Sequence, residues 1–262
     1  MELNILFEDG EALVIDKPAG LPLDRPRAGG PCLEDDLETL KLGFQREPFP
    51  VHRLDRDTSG CLLLARNPKA LKRFSAAFEA RTVAKRYLGV VAGPVEGETG
   101  TIELALSKIS SAAEGWRMIA AKKGKPAVTH WRKIDEKNGL TLVEFRPETG
   151  RTHQIRVHAL LGLGAALLGD PIYGDDANGS KAGAKRTLLH AIELTIPRDG
   201  KPPIHAIAPV PTDFVVLGFD LSEFALPEVA TADIEAADLA LPDVAAEDLT
   251  LPATDAPGDE GE

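Results

Sequence analysis

Short apolar segments bounded by turn residues recur along this chain and set its first structural limit. LNILFED and ALVID (Leu3–Asp9 and Ala12–Asp16) read as two strands joined at the turn Asp9-Gly10. Gly60–Ala65 (GCLLLA) reads as a buried strand, and Lys85–Val91, His130–Ile134, Thr141–Phe145 and Leu188–Ile196 share the same character. Helices are fewer. Asn67-Pro68 offers a cap followed by proline at the first helical position, after which Leu71, Phe74 and Phe78 fall on one face. A second helix is expected over Thr152–Leu161, with Thr152 as its cap. Strands with interspersed helices predict an α+β domain whose mixed, mostly antiparallel sheet is flanked by helices. The regular alternation of a doubly wound fold is missing, and so is any GxGxxG or Walker-type loop.

Composition bounds the size and surroundings of that domain. With 262 residues, 43% of them hydrophobic, the chain can bury one sizeable core. It has no run approaching the roughly 18 apolar residues of a membrane span, so no membrane partner is expected. MELNILFEDG does not read as a signal peptide. Cys32 and Cys61 stand far apart in no metal-like spacing, which suits a reduced, cytoplasmic protein, here expected to be a monomer.

The net charge of -11 argues at first against a nucleic-acid partner, but its distribution removes the objection. Residues 221–262 hold 12 acidic residues and no Lys or Arg. Residues 1–220 therefore carry all 30 basic residues and 41 - 12 = 29 acidic ones, a balance of +1. A near-neutral body can bind a polyanion if its cations gather on one face. The division expected is a catalytic domain over 1–221 and an acidic, disordered tail over 222–262. The tail partly repeats itself (LPEVATADIEAADLA, LPDVAAEDLT), so a segment around Ile234, Leu239 and Val244 that folds on a partner is the competing reading.

Two polar runs carry the chemistry. HRLDRDTSG (His52–Gly60) packs two Arg, two Asp, Thr and Ser directly ahead of an apolar strand. A carboxylate positioned for catalysis is expected at such a strand end. The nearby arginines would keep Asp55 ionised, and Thr58 and Ser59 would tie down the loop. A turn braced by ion pairs explains the run equally well on its own. ETGRTHQIRVH (Glu148–His158) adds Arg151 at a Gly-marked turn and Arg156 within the expected helix. His153 and His158 are five apart and lack a third ligand in HExxH or CxxC form, so no metal site is expected. GLGAALLGDPIYG has glycines but no following Lys, so it reads as packing and a tight turn, with Tyr173 a possible substrate contact.

HRLDRDTSG and GRTHQIRVH together resemble the two signature motifs of the RluA-type RNA pseudouridine synthases. DKPAGLP (Asp16–Pro22), AKRYLGVV (Ala84–Val91), GKPAVTHW (Gly124–Trp131), GDPIYG (Gly169–Gly174) and LLHAIEL (Leu188–Leu194) match in order, over about residues 3–215. The resemblance implies an isomerase that converts uridine to pseudouridine in rRNA or tRNA, with RNA and not DNA as partner. The implied reaction needs no redox change or energy input, so neither cofactor nor metal is expected. The family nucleophile falls on Asp55, the aromatic residue that lies against the target base on Tyr87, and the arginine paired with the nucleophile on Arg151. Arg53 is a candidate for the displaced strand or its phosphates. Leu189 is expected to line the base pocket, with Leu188 as its alternative. The chain starts at the first core strand, without the N-terminal S4-type domain of some relatives, so substrate choice is expected to rest on the core and its loops.

Overall fold

The computed structural model describes residues 3–111, 115–174 and 183–224. Its strands are β1 (Asn4–Glu8), β2 (Ala12–Lys17), β3 (Phe49–Pro50), β4 (Ser59–Ala65), β5 (Ala84–Val91), β6 (Thr99–Glu103), β7 (Leu106–Ser111), β8 (Gly115–Ala120), β9 (Val128–Lys137), β10 (Leu140–Pro147), β11 (Leu189–Ile196) and β12 (Ile204–Ile207). Helices α1 (Pro68–Glu79), α2 (Gln154–Gly162) and α3 (Thr212–Val215) accompany them. Ten strands form one sheet in the order β1-β2-β4-β11-β5-β10-β9-β6, with β12 against β11 and β3 against β4. All pairs are antiparallel except β11 with β4, so the expected α+β class with a mostly antiparallel mixed sheet is what forms. β7 and β8 stand apart as a two-stranded hairpin.

Alternation along β2 and β4 makes two cores. Ala12, Val14, Cys61, Leu63 and Ala65 face α1, which lays Ala70 and Phe74 on them. The Asn67 side chain caps α1 by accepting the Ala70 N–H at 2.9 Å. Leu13, Ile15, Leu62 and Leu64 face the other way, and no long helix covers them. The Pro- and Gly-rich segment after β2 does so instead, burying Leu21, Leu23, Leu33 and Leu40. Each such leucine contributes roughly 1.5–3 kcal/mol, which keeps an irregular segment in place.

The β4–β11–β5 junction brings distant sequence together. His190 and Ala191 pair with Ser59 and Gly60, while Leu189 and His190 pair with Gly89 and Leu88. Gly60 is required there: its φ is +103°, and an added Cβ would lie 2.2 Å from the Ala191 carbonyl oxygen. The loop ending at β4, the middle of β5 and the start of β11 therefore lie close together in the centre of the sheet.

Three details depart from the sequence expectations. The second helix starts at Gln154, preceded not by a Thr152 cap but by His153 in the left-handed region (φ 52°). The Gln154 side chain accepts the Arg151 N–H at 3.0 Å, holding the chain in a turn where helix was expected. The hairpin strands β7 and β8 lack the apolar alternation that reveals strands, because most of their side chains stay at least partly exposed. Finally, Ser222–Phe224 form a 3-10 turn, and Phe224 is buried with Phe214, Leu217 and Phe219. The packed body thus passes the boundary expected at 221/222; the remainder of that tail lies outside the described residues.

Gly60→Ala is expected to cost at least about 3 kcal/mol through clash and strain, measured by urea denaturation. A chain ending at Phe224 is expected to melt with the full-length protein. One ending at Phe219 loses about 3–5 kcal/mol with the Phe224 ring and is expected to melt measurably lower.

Candidate active site

Asp55 sits in the loop before β4, and its backbone is fixed by an accounting of three successive carbonyls. The Asp55 carbonyl accepts the Thr58 N–H at 3.2 Å. The Arg56 carbonyl accepts the Gly20 N–H at 2.9 Å and Lys17 Nζ at 3.0 Å. The Asp57 carbonyl accepts Arg186 Nη1 at 3.0 Å. Lys17 is wholly buried, and its ammonium also donates to the carbonyls of Pro18 (2.7 Å) and Leu21 (3.0 Å). All three of its protons are thereby used. Burial pulls the Lys17 amine down to about 8, against the fields of Asp57 and Asp55. Ser59 Oγ lies 2.9 Å from His190 Nδ1, closing the far end of the loop. His190 is pushed down to about 3 by burial and is neutral. His52 likewise is structural: pushed down to about 3 by burial, it accepts the Leu63 N–H at 3.0 Å and stacks on Phe78.

The Asp55 side chain is 31% exposed, reachable from solvent yet anchored from below. Its anchor is Arg156, whose Nη1 donates to Oδ2 at 3.2 Å. The same buried guanidinium grips Asp170 with two bonds, Nε–Oδ2 at 2.6 Å and Nη2–Oδ1 at 2.7 Å. Asp170 in turn accepts the N–H groups of Ile172 and Tyr173 at 2.9 and 3.1 Å, so the GDPIYG turn fixes its orientation. Burial disfavours the Arg156 charge, but Asp170 and Asp55 outweigh it and hold the guanidinium above its ordinary range.

This corrects the expected pairing. Arg151 does not reach Asp55: its Nε donates to the Pro126 carbonyl at 3.2 Å and its side chain braces the turn beside Gly150. The arginines of the loop itself do not pair with Asp55 either. Arg53 is exposed and lies 3.3 Å from Asp24, while Arg56 bonds the Gly20 carbonyl at 3.2 Å. Sequence reasoning placed Arg156 in the helix but missed its pairing with Asp55, and missed Asp170 altogether. The signal was an arginine in a helix whose residues from Gln154 to Ala159 are all buried, which obliges a buried acidic partner.

Tyr87, on β5, packs against both the Leu54–Ala191 cluster and the Phe145–Leu189 cluster. Burial raises its phenol, with the charge of Asp55 adding to the effect, so the hydroxyl stays protonated. Leu189 shares the second cluster with Tyr87, whereas Leu188 faces the other side of the sheet with Leu88 and Phe214. Of the two leucines, Leu189 is the one on the Tyr87 side of the sheet. Tyr173 spends its hydroxyl internally, accepting the Met118 N–H at 2.8 Å and meeting His153 Nδ1 at 2.9 Å. Among the described residues, no group of three or more His, Cys, Asp or Glu could hold a metal ion, and no helix is long and apolar enough to cross a membrane.

Removing one side of the buried pair leaves the other uncompensated. Asp170→Ala is expected to cost about 3–5 kcal/mol, read as a lower urea midpoint with an unchanged slope. A midpoint matching wild type would show that the pair does not anchor the site.

Residues 11–161 match the family model described as RNA pseudouridylate synthase. A Zymomonas mobilis protein named an uncharacterized RNA pseudouridine synthase is 53% identical over 216 residues, 82% of this chain and 97% of its own length. The ribosomal large subunit pseudouridine synthase D of Xanthomonas campestris is 38% identical over 231 residues, covering 80% of this chain and 67% of that protein. The structure of human RNA pseudouridylate synthase domain containing 4 superposes with a TM-score of 0.67 at 26% identity, over 81% of this chain and 90% of that one. Sequence and architecture agree, and the chain belongs to the RluA-type RNA pseudouridine synthases.

Proposed function

We propose that this isomerase acts on uridine in structured ribosomal or transfer RNA, with Asp55 as its nucleophile. The observation that carries the reading is a partly exposed carboxylate, held by a buried arginine beside Tyr87 and Leu189. Pseudouridine formation detaches the base at N1, turns it, and rejoins it to the ribose through C5, with the C5 proton passing to solvent. Nothing is gained or lost overall. A fixed anionic oxygen is what either route requires, whether it attacks the ribose or the base. Arg156, bonded to Oδ2, holds the carboxylate in place.

The target base must leave its stack, at a cost of a few kcal/mol. Tyr87 offsets roughly 1–3 kcal/mol of this by lying against the base, with Leu189 beside it. Arg53 and Arg151, both at the surface, are assigned to RNA phosphates, which position the strand without reading its bases. The relatives named as large-subunit synthases favour ribosomal RNA over transfer RNA. The enzyme is taken to work as a cytoplasmic monomer, with the acidic segment after Phe224 dispensable for chemistry.

Mapping pseudouridine in RNA from cells lacking the gene, complemented with wild type or Asp55→Ala, tests the reading. A site that only wild type restores names the substrate; full restoration by Asp55→Ala contradicts the proposal. On that RNA, Arg156→Lys is expected to lower kcat by about 10–100-fold, because lysine cannot hold two carboxylates in a planar fork. Arg151→Ala is expected to raise KM and leave kcat within about threefold. The reverse pattern would return the anchoring role to Arg151.

A further inference from the structure

We infer that His153 is a positioning residue for Asp55, held by Tyr173 as the tautomer that points an Nε2–H at the carboxylate and tied through Tyr173 to the β7–β8 hairpin. The inference rests on the reading of Asp55 as the reacting carboxylate. His153 occupies the left-handed region (φ 52°), which is costly for a residue other than glycine and turns its ring into the site. The ring is buried, with Nε2 3.9 Å from Asp55 Oδ2 and Nδ1 2.9 Å from Tyr173 Oη. The indole of Trp116, from β8, covers it at a centroid distance of 4.8 Å.

The tautomer follows from counting protons. The Met118 N–H, also on β8, donates to Tyr173 Oη at 2.8 Å. The phenol has one proton of its own, and among the described residues His153 Nδ1 is the acceptor within its reach. Nδ1 is then bare, so the proton of a neutral imidazole is on Nε2, facing Asp55. Burial pushes the imidazole down despite the pull of Asp55, in keeping with the neutral form.

Among the described residues, the Arg156 and His153 contacts to the Asp55 side chain both converge on Oδ2. The other oxygen, Oδ1, is therefore the one turned to substrate. Both Met118 and Trp116 belong to the hairpin, which is how Tyr173 and His153 are tied to it.

Long-range proton–nitrogen NMR of histidine-labelled protein reads the tautomer directly, with the His153 signals identified by their loss in His153→Asn. Wild type is expected to show His153 neutral with its proton on Nε2, and Tyr173→Phe a mixture of tautomers. A proton on Nδ1, or an imidazolium, in wild type at pH 7 overturns the inference. Kinetics supply a second arm. A glutamine amide reaches the Nε2 position and an asparagine amide the Nδ1 position, yet asparagine is the better fit to left-handed backbone. His153→Gln is expected to keep kcat within about tenfold, and His153→Asn to lose about a hundredfold at unchanged KM for RNA. A merely structural His153 predicts the opposite order, and asparagine matching or exceeding glutamine sinks the proposal. Full activity in Asp55→Asn would instead remove the underlying reading of Asp55.

Discussion

Between Asp170 and Asp55 lies a guanidinium that water scarcely reaches, and the site is organised around its need for two carboxylates. A buried arginine without a partner would cost several kcal/mol. Asp170 meets most of that requirement with a two-bond grip, and the N–H groups of Ile172 and Tyr173 keep Asp170 itself aligned. Of the three N–H groups that remain, one on Nη1 goes to Asp55 at 3.2 Å. The Asp55 carboxylate is thus held from the interior while its remaining surface faces outward. A surface pair would be screened and free to swing.

The backbone beneath Asp55 obeys the same economy. Lys17, Arg186 and two N–H groups satisfy the carbonyls of residues 55 to 57, so the loop has one conformation without belonging to a strand or helix. The parallel β4–β11 contact places Leu189 near this loop, and the antiparallel β5–β11 contact adds Tyr87. Residues separated by up to 134 positions are brought near one another because three adjacent strands lie side by side in the middle of the sheet.

Much of this was legible in the chain. The Asp9-Gly10 turn, the buried GCLLLA strand and the Asn67-Pro68 helix start are local signals, and the structure forms each as local chemistry dictates. Asp55, Tyr87 and Leu189 were singled out from motifs and do converge in space. What the sequence hid was partnership. Arg151 and Arg156 stand five residues apart in one motif, and only the burial of α2 decides which faces Asp55. His153 in a left-handed turn, not a Thr152 cap, starts that helix, because Gln154 takes the Arg151 N–H. The hairpin was invisible because a half-exposed ribbon needs no apolar alternation.

If Asp55 is the nucleophile, Asp170 influences the chemistry only through Arg156. Single-turnover release of tritium from C5-labelled uridine RNA by Arg156→Gln, Asp170→Asn and the double variant tests this directly. If the account is right, the double variant is no slower than Arg156→Gln alone, since the path from Asp170 is already cut. Losses that multiply, with the double variant slower by the product of the two single effects, would contradict it.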